Sequence, residues 1–366
     1  MTASLFLNAF SYHNRKCNDT VPWTKDVHIS TKCAYSCCLH HTKVRVGAIS
    51  ITPGIMLDRN IKLGPNMVAD LGLGRMVDDF VFRQNFYIRT YEIGPDRKAS
   101  METLMNLLQE TTVNHIKEIG LLGDGLGLSP EMCKKNLIWV MAKLQVVVDR
   151  YPMWDDIVQI DTWKTASGKL GMCSNWMFSN SKTGETLIRA SCVWLMMDKK
   201  TRKLSKFPNE VRTEFDQYFM KTPPIVKQDN RKWSKRDDKN IVDHYFCNGL
   251  AIRLSDLDIN EHVNNAKYFG WILESVPKRI VDNYEVASMS LEYCRECKKD
   301  SVLQSHTFVM GTDDNGDEIT DDDHVDCQHL LQLDIGGGEI MKGRTRWRLK
   351  YERRPGPFES TDKYFP

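Results

Sequence analysis

The feature that most constrains the fold is a repeat within the chain. Residues 88–116 can be laid on residues 252–280 without a gap, which matches Arg89 to Arg253 and Glu110 to Glu274. The apolar positions of a helix pattern coincide as well. Leu104, Met105, Leu107 and Leu108 fall on Tyr268, Phe269, Trp271 and Ile272. We therefore predict two copies of one helix-on-sheet unit.

Strand patterns surround the helix in the first copy. Ser100 precedes the helix pattern, and runs rich in β-branched and aromatic residues occupy 82–91, 137–148, 157–164, 175–179 and 186–197. One buried helix followed by long antiparallel strands predicts an α+β layer architecture. In the second copy the helix is expected to end at Pro277.

Composition and the repeat divide the chain into segments. The first 55 residues are rich in Ser and Thr and carry only Asp19 and Asp26 as acids, which is typical of an organellar transit peptide. Pro and charged residues mark a linker between the copies. The predicted segments are 1–55 presequence, 56–79 lead-in, 80–215 N-terminal copy, 216–244 linker, 245–352 C-terminal copy and 353–366 C-terminal tail.

Composition also excludes several classes of protein. The net charge of +2 gives no indication of a nucleic-acid partner. No apolar run reaches the length of about 18 residues that a transmembrane segment needs. The 11 cysteines are odd in number and irregularly spaced, which favours reduced thiols over a disulfide framework. No metal site or other cofactor is predicted, because neither the acidic loop at 313–323 nor the Cys294–Cys297 pair has the spacing of a known site.

The candidate chemistry lies where the helix of the second copy begins. Asp258, Asn260 and His262 occupy alternating positions, so an extended chain would bring a carboxylate, an amide and an imidazole to one side. Such residues also cap helices and close turns. Further along, Glu296 stands beside the thiol of Cys297. These groups suit acyl transfer through a thiolate or direct hydrolysis by an activated water.

Several long motifs resemble one family. The runs are SDLDINEHVNNAKYFGWILESVP, LEYCREC and TGETLIRASCVWLMMDKKTRKLSK. They look like the plant acyl-acyl carrier protein (acyl-ACP) thioesterases, in particular the B class, which releases mostly saturated fatty acids. The resemblance covers roughly residues 72–350 and implies a tandem double hot-dog fold, a plastid location and release of free fatty acid from acyl-ACP.

The resemblance also assigns site residues. The family's catalytic positions fall on Asp258, Asn260, His262, Glu296 and Cys297. In one mechanism Cys297 is the nucleophile and His262 its base; in the other, Glu296 and His262 activate a water. Adjacent residues of a strand point to opposite faces, so Glu296 and Cys297 cannot both face the site without a bulge.

The N-terminal copy lacks these groups and is expected to shape the acyl-chain pocket. Apolar residues of the strand at 146–150, or their neighbours, lie opposite Glu296 and Cys297. The same bulky side chains would serve equally well as plain core. The candidate pocket walls are Met101, Leu104, Met105, Leu108, Trp139, Met141 and Trp163.

Partners and departures from the family complete the expectations. Basic runs at 199–206 and 221–239 suit an acidic acyl carrier protein, and hot-dog proteins commonly pair, so a homodimer is expected. The sequence departs from the usual B-class pattern at Cys173, Ser174, Asn175, Glu261 and Cys294. Because of these changes, a non-catalytic acyl-carrier or lipid-binding protein stays open as an alternative. A hot-dog hydratase is a second alternative, since it would also use His and Asp against an acyl thioester.

Overall fold

Each copy of the repeat packs a helix against an antiparallel sheet. The computed structural model describes residues 74–123, 127–167, 171–229, 231, 233, 239–259, 261–311 and 324–350. These residues all fall in one unit of the chain, Lys62–Pro366.

The N-terminal copy contains the longer helix and most of the short elements. Its helices are α1 (Met101–Glu118), α2 (Pro130–Lys134) and α3 (Asn209–Asp216). Its strands are β1 (Arg75–Met76), β2 (Phe82–Tyr87), β3 (Leu137–Val148), β4 (Ile157–Ser167), β5 (Gly171–Asn180), β6 (Thr186–Asp198) and β7 (Leu204–Ser205).

The C-terminal copy repeats this order with fewer additions. Its helices are α4 (Lys267–Leu273) and α5 (Lys278–Asn283). Its strands are β8 (Ile241–Ala251), β9 (Tyr284–Tyr293), β10 (Val302–Met310), β11 (His324–Leu333) and β12 (Glu339–Leu349). Strand β8 thus begins a few residues inside the segment expected to be linker.

The two copies share one continuous sheet. Its strand order is β1-β2-β4-β5-β6-β3-β9-β12-β11-β10-β8. The copies meet where β3 pairs with β9 in antiparallel fashion, with Val146 opposite Met289. Outward from the β3–β9 pair the equivalent strands follow in the same order on both sides. The copies are therefore related by an approximate two-fold rotation axis.

Helix α1 forms as the sequence predicted. The Ser100 hydroxyl accepts the N–H of Thr103 at 3.1 Å, which satisfies one of the unpaired amides at the helix start. The matching helix in the C-terminal copy is shorter, because Pro277 stands where the N-terminal copy has Val113. Proline lacks an amide hydrogen and breaks the helical ladder, so a turn separates α4 from α5.

A hydrophobic core extends through both copies. Leu104 and Leu108 of α1, and Phe269 and Ile272 of α4, are buried in the same cluster as Leu144 of β3. Each such side chain stabilises the fold by roughly 1.5–3 kcal/mol through burial. None of the described helices is long and apolar enough to cross a membrane.

Candidate active site

The stretch from Asp258 to His262 folds into a tight turn. The Asp258 N–H donates to the carbonyl of His262 at 2.7 Å, and the Glu261 N–H donates to the carbonyl of Asp258 at 3.0 Å. Glu261 adopts a positive φ of 61°, and an Asp258 carboxylate oxygen accepts the His262 N–H at 3.1 Å. The extended conformation considered from the alternating pattern is therefore not the one observed. Asn260 lies outside the described residues.

The same turn occurs in the N-terminal copy. The Gly94 N–H donates to the carbonyl of Lys98 at 2.9 Å, the Arg97 N–H donates to the carbonyl of Gly94 at 2.9 Å, and Arg97 has a φ of 61°. Both motifs begin with an arginine, Arg89 or Arg253, whose N–H donates at 2.7 Å to the acid three residues later. The predicted repeat is thus confirmed at the level of single hydrogen bonds.

The segment that carries Glu296 and Cys297 lies against this turn. The Val263 N–H donates to the carbonyl of Cys297 at 3.3 Å, and His262 pairs with Lys298 in an antiparallel bridge. The Glu296 side chain is 32% exposed, whereas Cys297 is 1% exposed and belongs to the hydrophobic core. The two neighbours therefore lie in different environments, one at the surface of a cleft and one in the interior.

Hydrogen bonding also identifies their counterparts in the N-terminal copy. The Pro152 carbonyl accepts the N–H of Ala99 at 2.8 Å, as the Cys297 carbonyl does in the C-terminal copy. Tyr151 therefore corresponds to Glu296. Neither a carboxylate nor a thiol is present at these two positions of the N-terminal copy.

A set of charged residues, here called the Lys98 cluster, takes the place of His262 in the N-terminal copy. Lys98 forms an ion pair with Glu285 of strand β9, and Arg348 Nε donates to Glu285 at 2.9 Å. Arg348 also donates to the carbonyl of Val148 at 2.8 Å. The Lys98 cluster is thus a closed ion-pair network that ties the two copies together.

A third charged side chain enters the C-terminal site from the other copy. Arg202, in the turn between β6 and β7, donates from Nε to Glu296 Oε2 at 3.1 Å, and its Nη2 contacts Oε1 of the same carboxylate. Arg202 Nη2 lies 3.1 Å from His262 Nδ1, which is itself 3.3 Å from Glu296 Oε1. The sequence interpretation placed Arg202 in a basic surface run, where nothing distinguishes it from its lysine neighbours.

Opposing effects set the ionisation of Glu296 and Cys297. Burial raises the pKa of Glu296, but the hydrogen bond from Arg202 and the nearby His262 outweigh burial, and the pKa falls below its ordinary value. Burial raises the pKa of Cys297 to about 11, although a hydrogen bond with Tyr268 opposes this. Near neutral pH Glu296 is therefore a carboxylate and Cys297 a neutral thiol.

A cleft of about 640 Å³ opens beside these groups, with Asp258, His262 and Glu296 in its lining. That volume is in the range of small-molecule sites. Strands β3 and β6 supply an apolar wall, which includes Ile138, Trp139, Met141, Trp194 and Leu195. Within the described part of the chain, no group of three or more His, Cys, Asp or Glu side chains is placed to hold a metal ion.

The predicted acyl-chain residues fall into three places. Trp139 and Met141 line the cleft. The α1 residues lie in the hydrophobic core: Met101, Leu104, Met105 and Leu108. Trp163 lies on β4, and because strand residues alternate between faces it is on the side opposite the buried Ile160. Trp139 and Met141 are thus the candidates adjacent to the acid–base groups.

The positions that depart from the family pattern are mostly internal. Cys173, Ser174 and Asn175 are buried in β5. The Asn175 side-chain oxygen accepts the N–H of Ile225 at 3.0 Å and the Ser191 hydroxyl at 2.8 Å. These uncharged residues therefore anchor the chain that leaves the N-terminal copy. Cys294, in contrast, lines the cleft.

Two family matches cover most of the chain. Residues 79–215 match the acyl-ACP thioesterase N-terminal domain, and residues 239–349 match the acyl-ACP thioesterase C-terminal domain. The chain therefore belongs to the acyl-ACP thioesterase family.

Individual relatives agree with this assignment. The chloroplastic palmitoyl-acyl carrier protein thioesterase of Gossypium hirsutum is 55% identical over 291 residues, which are 79% of this chain and 69% of the relative. The 12:0-ACP thioesterase structure from Umbellularia californica is 44% identical with a TM-score of 0.66, covering 74% of this chain and 94% of that one. A putative oleoyl thioesterase from Lactobacillus plantarum, 19% identical, shares the fold with a TM-score of 0.62 over 75% of this chain and 99% of its own. The predicted α+β tandem hot-dog fold is confirmed.

Proposed function

We propose that this protein hydrolyses the thioester of acyl-ACP in the plastid and releases a free fatty acid. The observation that carries the proposal is a cleft between the two copies in which an ionised carboxylate, Glu296, lies 3.3 Å from the imidazole of His262. Family membership supplies the thioester, and these two groups are the ones that can remove a proton from water near neutral pH.

In the proposed mechanism, Glu296 and His262 activate a water molecule. Its oxygen attacks the thioester carbonyl carbon, and the proton passes to the Glu296–His262 pair. The tetrahedral intermediate then collapses, the carbon–sulfur bond breaks, and the carrier thiol leaves with a proton returned from the pair. The products are a fatty acid and the free thiol of the carrier.

Burial and ionisation argue against Cys297 as the nucleophile. A nucleophilic thiol must be reachable and readily ionised, yet Cys297 is 1% exposed and its pKa is raised to about 11. We assign Cys297 a packing role beside Tyr268. Asp258 shapes the turn that presents His262, and Asn260 keeps the carbonyl-holding role that the family resemblance implies.

For the acyl chain we propose entry along Trp139 and Met141 toward the interior of the N-terminal copy. Met101, Leu104, Met105 and Leu108 remain the proposed walls beyond them. Trp163 is not among these walls, because it lies on the face of β4 opposite the buried Ile160. The relative from Gossypium hirsutum that is named for palmitoyl-ACP shares 55% identity, against 44% for a dodecanoyl hydrolase from Cinnamomum camphora. Palmitoyl-ACP is therefore the first substrate to test.

Partner and location follow from charge and relatives. Arg202 lines the cleft, and lysines 199, 200, 203 and 206 lie close to it in the sequence. This basic run suits the acidic acyl carrier protein. The relatives named above from Gossypium and Cinnamomum are chloroplastic, and residues 1–55 have the composition of a transit peptide. We also propose a homodimer, which light scattering on the purified protein would measure.

The decisive experiment is an acyl-ACP panel with chains of 8 to 18 carbons. Free acid and free carrier thiol are quantified together, with His262→Ala as the inactive control. Equal release of both from wild type, largest for long saturated chains, is the expected result. Conversion of enoyl or hydroxyacyl chains without free thiol would replace the proposal with a hydratase, and tight binding without any product would replace it with a carrier-binding protein.

A further inference from the structure

We propose that Arg202 is a positioning residue of the hydrolytic site, which holds the Glu296 carboxylate and the His262 ring in one arrangement from the other copy of the repeat. The inference rests on the proposed function, since it assigns a role within that site. Arg202 touches the two acid–base side chains, so its effect on the reaction passes through them.

The contacts of Arg202 decide the tautomer of His262. A guanidinium has only donors, so a hydrogen bond across the 3.1 Å between Arg202 Nη2 and His262 Nδ1 requires a neutral ring that accepts at Nδ1. The ring proton then sits on Nε2. Without Arg202, Nδ1 would instead be free to carry a proton and donate it to Glu296 Oε1, 3.3 Å away.

The backbone around Arg202 is built to present this side chain. The Arg202 N–H donates to the carbonyl of Asp198 at 2.9 Å, and the Asp198 N–H donates to the carbonyl of Lys203 at 2.9 Å. The Asp198 carboxylate accepts the N–H of Thr201 at 2.6 Å. Arg202 itself has a φ of 55°, a conformation that costs energy outside glycine and persists where the surroundings enforce it.

The charge of Arg202 also acts on Glu296. Burial raises the pKa of that carboxyl, and the hydrogen bond from Arg202 is the largest of the effects that lower it. Other titratable or charged groups line the same cleft: Asp258, Tyr268, Tyr293, Cys294, Arg295 and Lys298. Arg202 is distinguished from the cations among them by direct hydrogen bonds to both carboxylate oxygens.

A matched control exists in the same copy. Arg150 also donates to both carboxylate oxygens of Glu185, from Nε at 2.9 Å and from Nη2 at 2.8 Å. Arg150 is absent from the cleft lining. Arg150→Met therefore removes a comparable ion pair without touching the proposed site. Arg202→Lys is the conservative variant, since it keeps the charge but loses the planar fork.

The test measures kcat and KM for palmitoyl-ACP from pH 3.5 to 9 on the full chain. Arg202→Met is expected to lower kcat at pH 8 about tenfold to 100-fold with little change in KM. The acid limb of the profile should move up by about one pH unit or more, because removing a cation raises the pKa of the base. Arg202→Lys should keep the acid limb and recover part of kcat, and Arg150→Met should match wild type. An unmoved acid limb in Arg202→Met overturns the inference.

A second readout does not depend on turnover. In protein labelled with ¹⁵N-histidine, with His262→Gln for assignment, the Nδ1 resonance of His262 should report an unprotonated acceptor in wild type and a protonated nitrogen in Arg202→Met. Identical Nδ1 signals in the two proteins overturn the inference even if wild type is active. If wild type hydrolyses no acyl-ACP, the proposed function fails, and the Nδ1 signal still decides whether Arg202 sets the ring.

Discussion

One turn serves two purposes in the two copies of the repeat. In the C-terminal copy it carries His262 to a cleft, beside a carboxylate and an arginine. In the N-terminal copy it carries Lys98 into a closed ion-pair cluster with Glu285 and Arg348. Each turn lies near an arginine of the other copy, which is Arg202 for the C-terminal turn and Arg348 for the N-terminal turn. Chemistry therefore depends on which titratable groups occupy the shared scaffold and on whether a cleft exposes them.

The two copies also differ in how their buried polar side chains are hydrogen-bonded. In the C-terminal copy both ring nitrogens of buried His329 have partners, Thr307 at 3.0 Å and Thr345 at 2.7 Å. In the N-terminal copy neither Lys164 Nζ nor the ring of His115 has a hydrogen-bond partner among the described residues. The ring of His329 is thus fully satisfied, whereas His115 and Lys164 carry the energetic cost of unpaired polar groups.

The largest expected effect separates the two turns. His262→Ala should lower kcat by roughly 10²–10⁴-fold, because it removes an acid–base group, and should leave the melting temperature nearly unchanged. Lys98→Met should leave kcat nearly unchanged and lower the melting temperature, since it opens the ion pair with Glu285 and Lys98 is absent from the cleft lining. Steady-state kinetics and thermal unfolding of both variants measure the contrast. Comparable loss of kcat in Lys98→Met would break the distinction between the copies.

The next effect concerns the buried lysine. Burial lowers the pKa of Lys164 from 10.5 to about 8, so the unfolded chain binds more protons between those values. The free energy of unfolding should therefore rise with pH from 8 to 10.5. Below pH 8 it should be about 3 kcal/mol lower than above pH 10.5. Lys164→Met should remove this rise and stabilise the protein at pH 7. Urea denaturation at pH 7 and pH 10 measures it, and a wild-type rise retained in the variant would contradict it.

A smaller effect should appear in the satisfied core. Thr307→Val removes the partner of one ring nitrogen of His329 and a hydrogen bond to the Ser275 hydroxyl, which should together cost roughly 1–3 kcal/mol. Thr112→Val is the matched control. Among the described residues the Thr112 hydroxyl bonds to the carbonyl of Leu108 one turn back, and the loss of this bond should cost less. Urea midpoints of the two variants give the difference. Equal costs would show that the His329 network contributes no more than an ordinary helix hydroxyl.

Much of the fold could be predicted from local pattern. The gap-free repeat predicted two helix-on-sheet units, and the matched residues Arg89 and Arg253 adopt equivalent hydrogen bonds. Strand β3 was predicted with its observed bounds. The pairing of β3 with β9 was not predicted, because the strands are far apart in sequence and each is apolar enough to lie inside its own sheet.

The site was only partly predictable for a similar reason. His262 and Glu296 stand in recognisable motifs, whereas Arg202 reaches them through the tertiary fold from a run of like charges. Tyr151, the counterpart of Glu296, lies just beyond the strand where sequence alignment placed the match. The side-chain directions of Glu296 and Cys297 depend on the bridge between His262 and Lys298, which no sequence pattern encodes.

The rate of Cys297→Ala beside that of Glu296→Gln most directly tests whether a carboxylate-activated water in the C-terminal copy performs the hydrolysis. The kcat for palmitoyl-ACP should stay within about fivefold of wild type in Cys297→Ala, because the thiol lies in the core. In Glu296→Gln it should fall by at least about 100-fold, with both variants folded by circular dichroism. A folded but inactive Cys297→Ala together with an active Glu296→Gln would contradict the mechanism and make the thiol the nucleophile.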